Sequence, residues 1–176
     1  MAIDRQKTET VHWHAVFTAS RAEKKVRDRL EELGVECFLP VQTVLRQWTY
    51  RKSRVEVPVI AGLVFVRVGR QEQVKVLQTK GVVAFLRLKG EAGAAVIPDK
   101  QMEDFRFLLD FSEEAVEMTN ENIKAGDLVR VVKGSLRGME GELIRHKGVT
   151  KVLVRIDMLG CAMVNIPASF VEKLNK

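Results

Sequence analysis

The sequence predicts an α+β fold followed by a separate all-β unit, and three observations carry that prediction. Strand and helix patterns alternate as βαββαβα up to Phe111, whereas from Gly126 onward every apolar run has strand character. Between them, Glu103 to Asn120 holds six acids against one base, a local charge of −5, while residues 1–102 carry +7 and residues 121–176 carry +4. An acidic joint therefore separates two basic parts, and the predicted division is 8–111, a linker at 112–123, and 124–176.

Each element has a local reason. Residues 1–10 are polar and predicted to fray. Val11 to Ala19 alternates as a strand, with Trp13, Ala15 and Phe17 on one face and Val16 on the other. Ser20 and Glu23 have the spacing of a capping box, and Ala22, Val26, Leu30 and Leu33 recur at helical spacing before Gly34. The opposite helix face shows Arg21, Lys24, Lys25, Arg27 and Arg29.

Val35 to Val44 reads as extended, with Pro40 marking an edge or bend. Strand character returns from Val55 to Val68, interrupted by Pro58 and Gly62, so the pair forms a predicted hairpin with a charged tip at Arg46 to Arg54. Gln71 to Gln78 is a short predicted helix, Val82 to Leu88 a strand, and Asp99 to Phe111 a longer helix starting after Pro98. The all-β part has predicted strands at Leu128 to Lys133, Glu140 to His146, Lys151 to Ile156 and Ala162 to Ile166, with a last one around Val171, which suit a small barrel. Glycines at 134, 138 and 141 mark its loop for tight turns or close approach.

Composition narrows the function classes. A net charge of +6 and a pI near 9.5 favour polyanionic partners. Cys37 and Cys161 have no CxxC companion, so neither a disulfide framework nor a zinc site is expected. No apolar run approaches the ~20 residues of a membrane span, and no amino-terminal signal pattern is seen, so no membrane partner and a cytoplasmic location are expected. There is no Walker-type loop, GxSxG elbow or metal-ligand spacing, and His12 and His14 merely share a strand face. An enzyme is not expected, nor a metal or other cofactor.

Two stretches carry a family resemblance. Ala125-Gly126-Asp127-Leu128-Val129-Arg130-Val131-Val132-Lys133-Gly134, with Leu136, Gly138, Met139 and Gly141, resembles the KOW motif of transcription and ribosomal proteins. Trp13-His14-Ala15-Val16, Phe38-Leu39-Pro40, Val59 to Val66, Gly81 to Leu86 and Val96-Ile97-Pro98 resemble, in order, the landmarks of the NusG amino-terminal domain. The resemblance covers nearly the whole chain. It implies an NGN-like sheet domain that binds RNA polymerase and an SH3-like KOW barrel, in a monomeric transcription elongation or antitermination factor.

The resemblance also implies sites. The polymerase contact, on the clamp helices of the largest subunit, falls on Trp13, Phe17, Ile60, Leu63 and Phe65, with Ile60-Ala61-Gly62-Leu63 standing where the family usually has Phe-Pro-Gly-Tyr. Contact with non-template DNA falls on Arg21, Lys24, Arg29, Thr79 and Lys80. In the Arg46 to Arg54 segment, Trp48 and Tyr50 lie among four cations, Arg46, Arg51, Lys52 and Arg54, an interleaving that can stack bases while neutralising phosphates, or can merely cover the sheet. Leu136, Arg137, Met139 and Ile144 are the candidate KOW contacts for a ribosomal protein or the termination factor Rho, unless Leu136 simply closes the barrel.

Ala95 to Met102 resembles the polysaccharide-operon antiterminators, and with the changes at Ile60 and Leu63 it favours a specialised paralogue of the RfaH type. The alternatives are a general NusG coupling polymerase to the ribosome or Rho, and a KOW-containing RNA-binding or ribosome-associated protein.

Overall fold

The computed structural model describes residues 9–175, so most of the expected frayed start lies outside the described residues. The chain forms β1 (His12–Thr18), α1 (Glu23–Glu32), β2 (Glu36–Phe38), β3 (Val41–Trp48), β4 (Arg51–Pro58), β5 (Leu63–Val68), α2 (Glu72–Leu77), β6 (Val82–Phe85) and α3 (Asp99–Phe111). Then come β7 (Glu117–Thr119), β8 (Asp127–Val131), β9 (Glu140–His146), β10 (Val149–Ile156), β11 (Gly160–Asn165) and β12 (Val171–Lys173). The alternation matches the expected order, with both long extended runs split in two. Pro40 ends the first run after β2, and the turn at Gly62 separates β4 from β5.

Two compact units result, one made of the chain up to Leu39 with Gly62–Val96, the other of Pro40–Ala61 with Ile97 onward. In the first, an antiparallel sheet has the order β2-β5-β1-β6. The pairing runs from His12 opposite Val68 to Phe17 opposite Leu63, so Trp13, Ala15 and Phe17 share a face with Phe65 and Leu63. Val16, Val64 and Val66 line the other face with Cys37, whose Sγ lies 3.7 Å from the carbonyl of Arg27 in α1. Val26 and Leu30 of α1 are fully buried, as their spacing predicts.

The expected capping box does not form. Ala22 is the N-cap, with no side-chain cap bond, and Arg21 just before it has a left-handed φ of 56°. Glu23 is instead buried, and its Oε1 accepts the Gly62 N–H at 2.7 Å. Gly62 itself needs its left-handed φ of 72°, so the carboxylate fastens a turn that few other residues could make.

In the second unit, β3 and β4 pair in register from Val41 opposite Pro58 to Trp48 opposite Arg51. The strands thus run through the segment expected to be a polar tip, and the turn itself is Thr49-Tyr50. The all-β part is an antiparallel sheet of order β12-β8-β9-β10-β11-β7. Val152, Val154 and Ile156 alternate with Leu153, which packs with Ile144, Cys161 and Met163. The strand β7, unforeseen in the acidic stretch, lies against β11, where a Cβ at Gly160 would stand 2.1 Å from the Thr119 carbonyl oxygen. The helix α3 packs on β10, with Gln101 Oε1 accepting the Asp157 N–H at 2.8 Å.

A bidentate ion pair fastens the start of this sheet. Arg155 donates from Nε and Nη2 to Glu142 at 2.6 and 2.9 Å, and from Nη2 to the Ile123 carbonyl at 3.0 Å. Glu142 Oε2 also accepts the Gly126 N–H at 3.0 Å. The Arg155 hydrogen bonds hold the Glu142 carboxyl below its ordinary 4.5, against the opposing effect of burial. That contribution is present above the unfolded value and is lost as pH falls through the lower folded one. Urea titrations across pH should therefore show a shallower acid loss of stability below about 4.5 in Glu142→Gln than in the parent.

Candidate functional site

Ten residues from Leu45 to Arg54 contain four cations, two aromatics and no acid. They fold into the outer half of the β3–β4 ribbon because β pairing satisfies the backbone whatever the side chains are. Residues opposite one another share a face, so Trp48, Arg51, Arg46 and Ser53 lie on one side, and Gln47, Lys52, Leu45 and Arg54 on the other. Trp48 is 57% exposed and Tyr50, in the turn, is 98% exposed. Tyr50 belongs to no strand, so it shares no strand face with Trp48. Among the described residues, Arg46, Arg51, Lys52 and Arg54 have no ion-pair partner.

The other basic surface is differently organised. Arg21 and Lys24 are exposed at the start of α1, while Arg29 is half-buried and donates from Nη1 to the Lys80 carbonyl at 2.7 Å. Folding thus brings Arg29 and Lys80 together across about fifty residues of chain. Thr79 is buried, and its hydroxyl donates to the Lys75 carbonyl at 3.0 Å, inside the last turn of α2. Arg27 pairs with Asp28 at 2.7 Å.

Of the apolar candidates, Trp13, Leu63 and Phe65 are buried, with Phe65 stacked on Phe38 at 6.1 Å between centroids. Phe17 is 42% exposed at the end of β1, and Ile60 is half-buried before the Gly62 turn. In the all-β sheet, Leu136, Met139 and Ile144 are buried and Arg137 is exposed in the β8–β9 loop. No site role was expected for Glu23, because its partner lies 39 residues away and leaves no local trace.

Burial pushes His14 down, and its Nδ1–H donates to the Ala95 carbonyl at 2.8 Å. His12 beside it is exposed, and no cluster of three metal-ligating side chains occurs among the described residues. Burial raises the Cys37 thiol to about 11 and raises Cys161 as well; both are free. No helix among the described residues is long and apolar enough to cross a membrane.

The two tryptophans give a direct check on this geometry. Trp13→Ala should cost about 3 to 5 kcal/mol of unfolding free energy, and Trp48→Ala should stay within about 0.5 kcal/mol of the parent, both read from chemical denaturation.

A family profile described as "Transcription termination factor nusG" matches residues 11–106. Over 166 residues the chain is 26% identical to the transcription termination/antitermination protein NusG of Streptococcus pyogenes serotype M3, covering 86% of this chain and 89% of that one. The serotype M1 protein gives the same figures. A solved structure of Thermotoga maritima NusG is 22% identical and covers 94% of this chain and 98% of that one, with a TM-score of 0.51, a likeness of fold.

Proposed function

Because the chain belongs to the NusG family of non-enzymatic transcription termination and antitermination factors, we propose that it docks on RNA polymerase and sustains processive elongation as an operon-specific antiterminator. The observation that carries this reading is the family match over residues 11–106, the part that holds the β1–β5 sheet and the basic face of α1. Residues 8–111 serve for docking, 112–123 as the joint and 124–176 as the recruiting KOW module. The protein works as a monomer in the cytoplasm.

The division of labour follows the placement of side chains. Phe17, exposed at the end of β1, meets the clamp helices, with Ile60 at its flank and Trp13, Leu63 and Phe65 as the buried support. Arg21, Lys24, Arg29 and Lys80 face the non-template strand, and Arg51, Lys52 and Arg54 add a second nucleic-acid contact. Arg137, above buried Leu136 and Met139, offers the exposed contact to a ribosomal protein or Rho. The departures at Ile60-Ala61-Gly62-Leu63 and the Ala95 to Met102 stretch support the specialised role.

Affinity purification of the tagged chain from its host tests the docking. RNA polymerase should co-purify, and Phe17→Glu should lower its recovery several-fold; ribosomal subunits recovered without polymerase would overturn the reading. Occupancy confined to one or a few operons is expected, and genome-wide occupancy would remove the operon-specific part.

The charge contact has its own measure. Binding of a reconstituted elongation complex by the Arg51→Ala, Lys52→Ala, Arg54→Ala triple variant should show a log–log salt slope shallower by about 2, given ~0.7 per single-strand phosphate.

A further inference from the structure

The hairpin holds more than charge, and its two faces differ in kind. One carries the Trp48 indole with Arg46 and Arg51 beside it, and the other carries Lys52 and Arg54. Eight consecutive residue pairs, from Val41–Pro58 to Trp48–Arg51, make the ribbon that presents them. An indole has only two rotatable side-chain bonds, so little conformational freedom is lost when something stacks on it.

We propose that this tip is a stacking platform for single-stranded nucleic acid, with an unpaired base laid on Trp48 and the flanking phosphates held by Arg46 and Arg51. Lys52 and Arg54, on the reverse face, hold the strand as it passes around the ribbon. The inference rests on the nucleic-acid contact proposed above and adds the kind of strand it takes.

Charge complementarity selects a polyanion. The four cations have no ion-pair partner among the described residues, and the hairpin's one carboxylate, Glu56, lies toward its base, opposite Thr43. The indole then selects among polyanions. A duplex presents phosphates but keeps its base faces stacked inside, so the cations alone would engage it and Trp48 would stay wet. An unpaired strand offers phosphate and ring face together, and stacking on an aromatic tolerates any base. The neighbouring guanidiniums also favour the face of the same ring system.

The difference in exposure between the two tryptophans supplies the readout. Trp13 is 5% exposed and Trp48 is 57% exposed, so quenching of intrinsic fluorescence by an added oligonucleotide reports Trp48. The full chain is titrated, without polymerase, with a fifteen-residue oligothymidylate, with oligouridylate of equal length, and with a duplex of equal charge. Quenching by at least one single strand is expected, and which of the two binds more tightly identifies DNA or RNA as the source. With binding of the variants and the parent read from the anisotropy of a dye-labelled copy of that strand, Trp48→Leu should weaken it about tenfold at unchanged thermal midpoint, with Trp48→Phe between the two. The proposal is overturned if neither strand quenches, if Trp48→Leu binds as tightly as the parent, or if the duplex quenches and binds equally well. Since no polymerase is present, failure of the docking reading would leave the quenching intact.

Discussion

The first unit depends on the pairing of β1 with β5. Interior to its sheet, β1 bonds β5 along one edge and β6 along the other, with a register shift between Phe17 and Thr18. That shift is where the chain turns out of the sheet, and three bonds gather there. Thr18 N–H donates to the Gly62 carbonyl at 2.9 Å, Ala19 N–H to the Gly81 carbonyl at 2.8 Å, and Gly62 N–H to Glu23. One end of one strand thus draws together the starts of α1, β5 and β6. Phe17 lies at that knot, and the Arg29 hydrogen bond to the Lys80 carbonyl joins α1 to the approach to β6 beside it.

Two basic surfaces come out of the fold differently organised. On α1 the guanidinium groups are partly engaged, Arg29 by the Lys80 carbonyl and Arg27 by Asp28, so they are held in place and partly neutralised. On the hairpin the four cations have no ion-pair partner among the described residues and project from a narrow ribbon. Engaged charge suits a contact of defined geometry, whereas free charge suits a chain whose backbone is everywhere alike.

Much of the architecture was legible because the deciding forces were local. Pro98 and the spacing of Met102, Phe105 and Leu108 define α3, and both of its ends fall where expected. The strand from Glu140 to His146 also has its expected bounds. What escaped was decided at a distance. Ser20 and Glu23 have the letters of a capping box, yet Glu23 answers a backbone N–H far along the chain. The strand β7 is three residues in an acidic stretch, held by pairing with β11 and by Glu117 meeting Lys151 Nζ at 2.7 Å. At the site, the charges could be read from the sequence, but burial could not. Trp13 and Trp48 look equally available as letters, and folding hides one of them.

The two cysteines give the molecule an unusual chemical neutrality. With Cys161 enclosed and Cys37 scarcely ionised at neutral pH, neither offers much thiolate to an electrophile. A thiol introduced at position 50 of the turn, fully wet, would outpace both native ones. Maleimide dyes or crosslinkers could then be attached at the ribbon's end in the otherwise native chain, and whatever passes beside it during transcription could be marked directly.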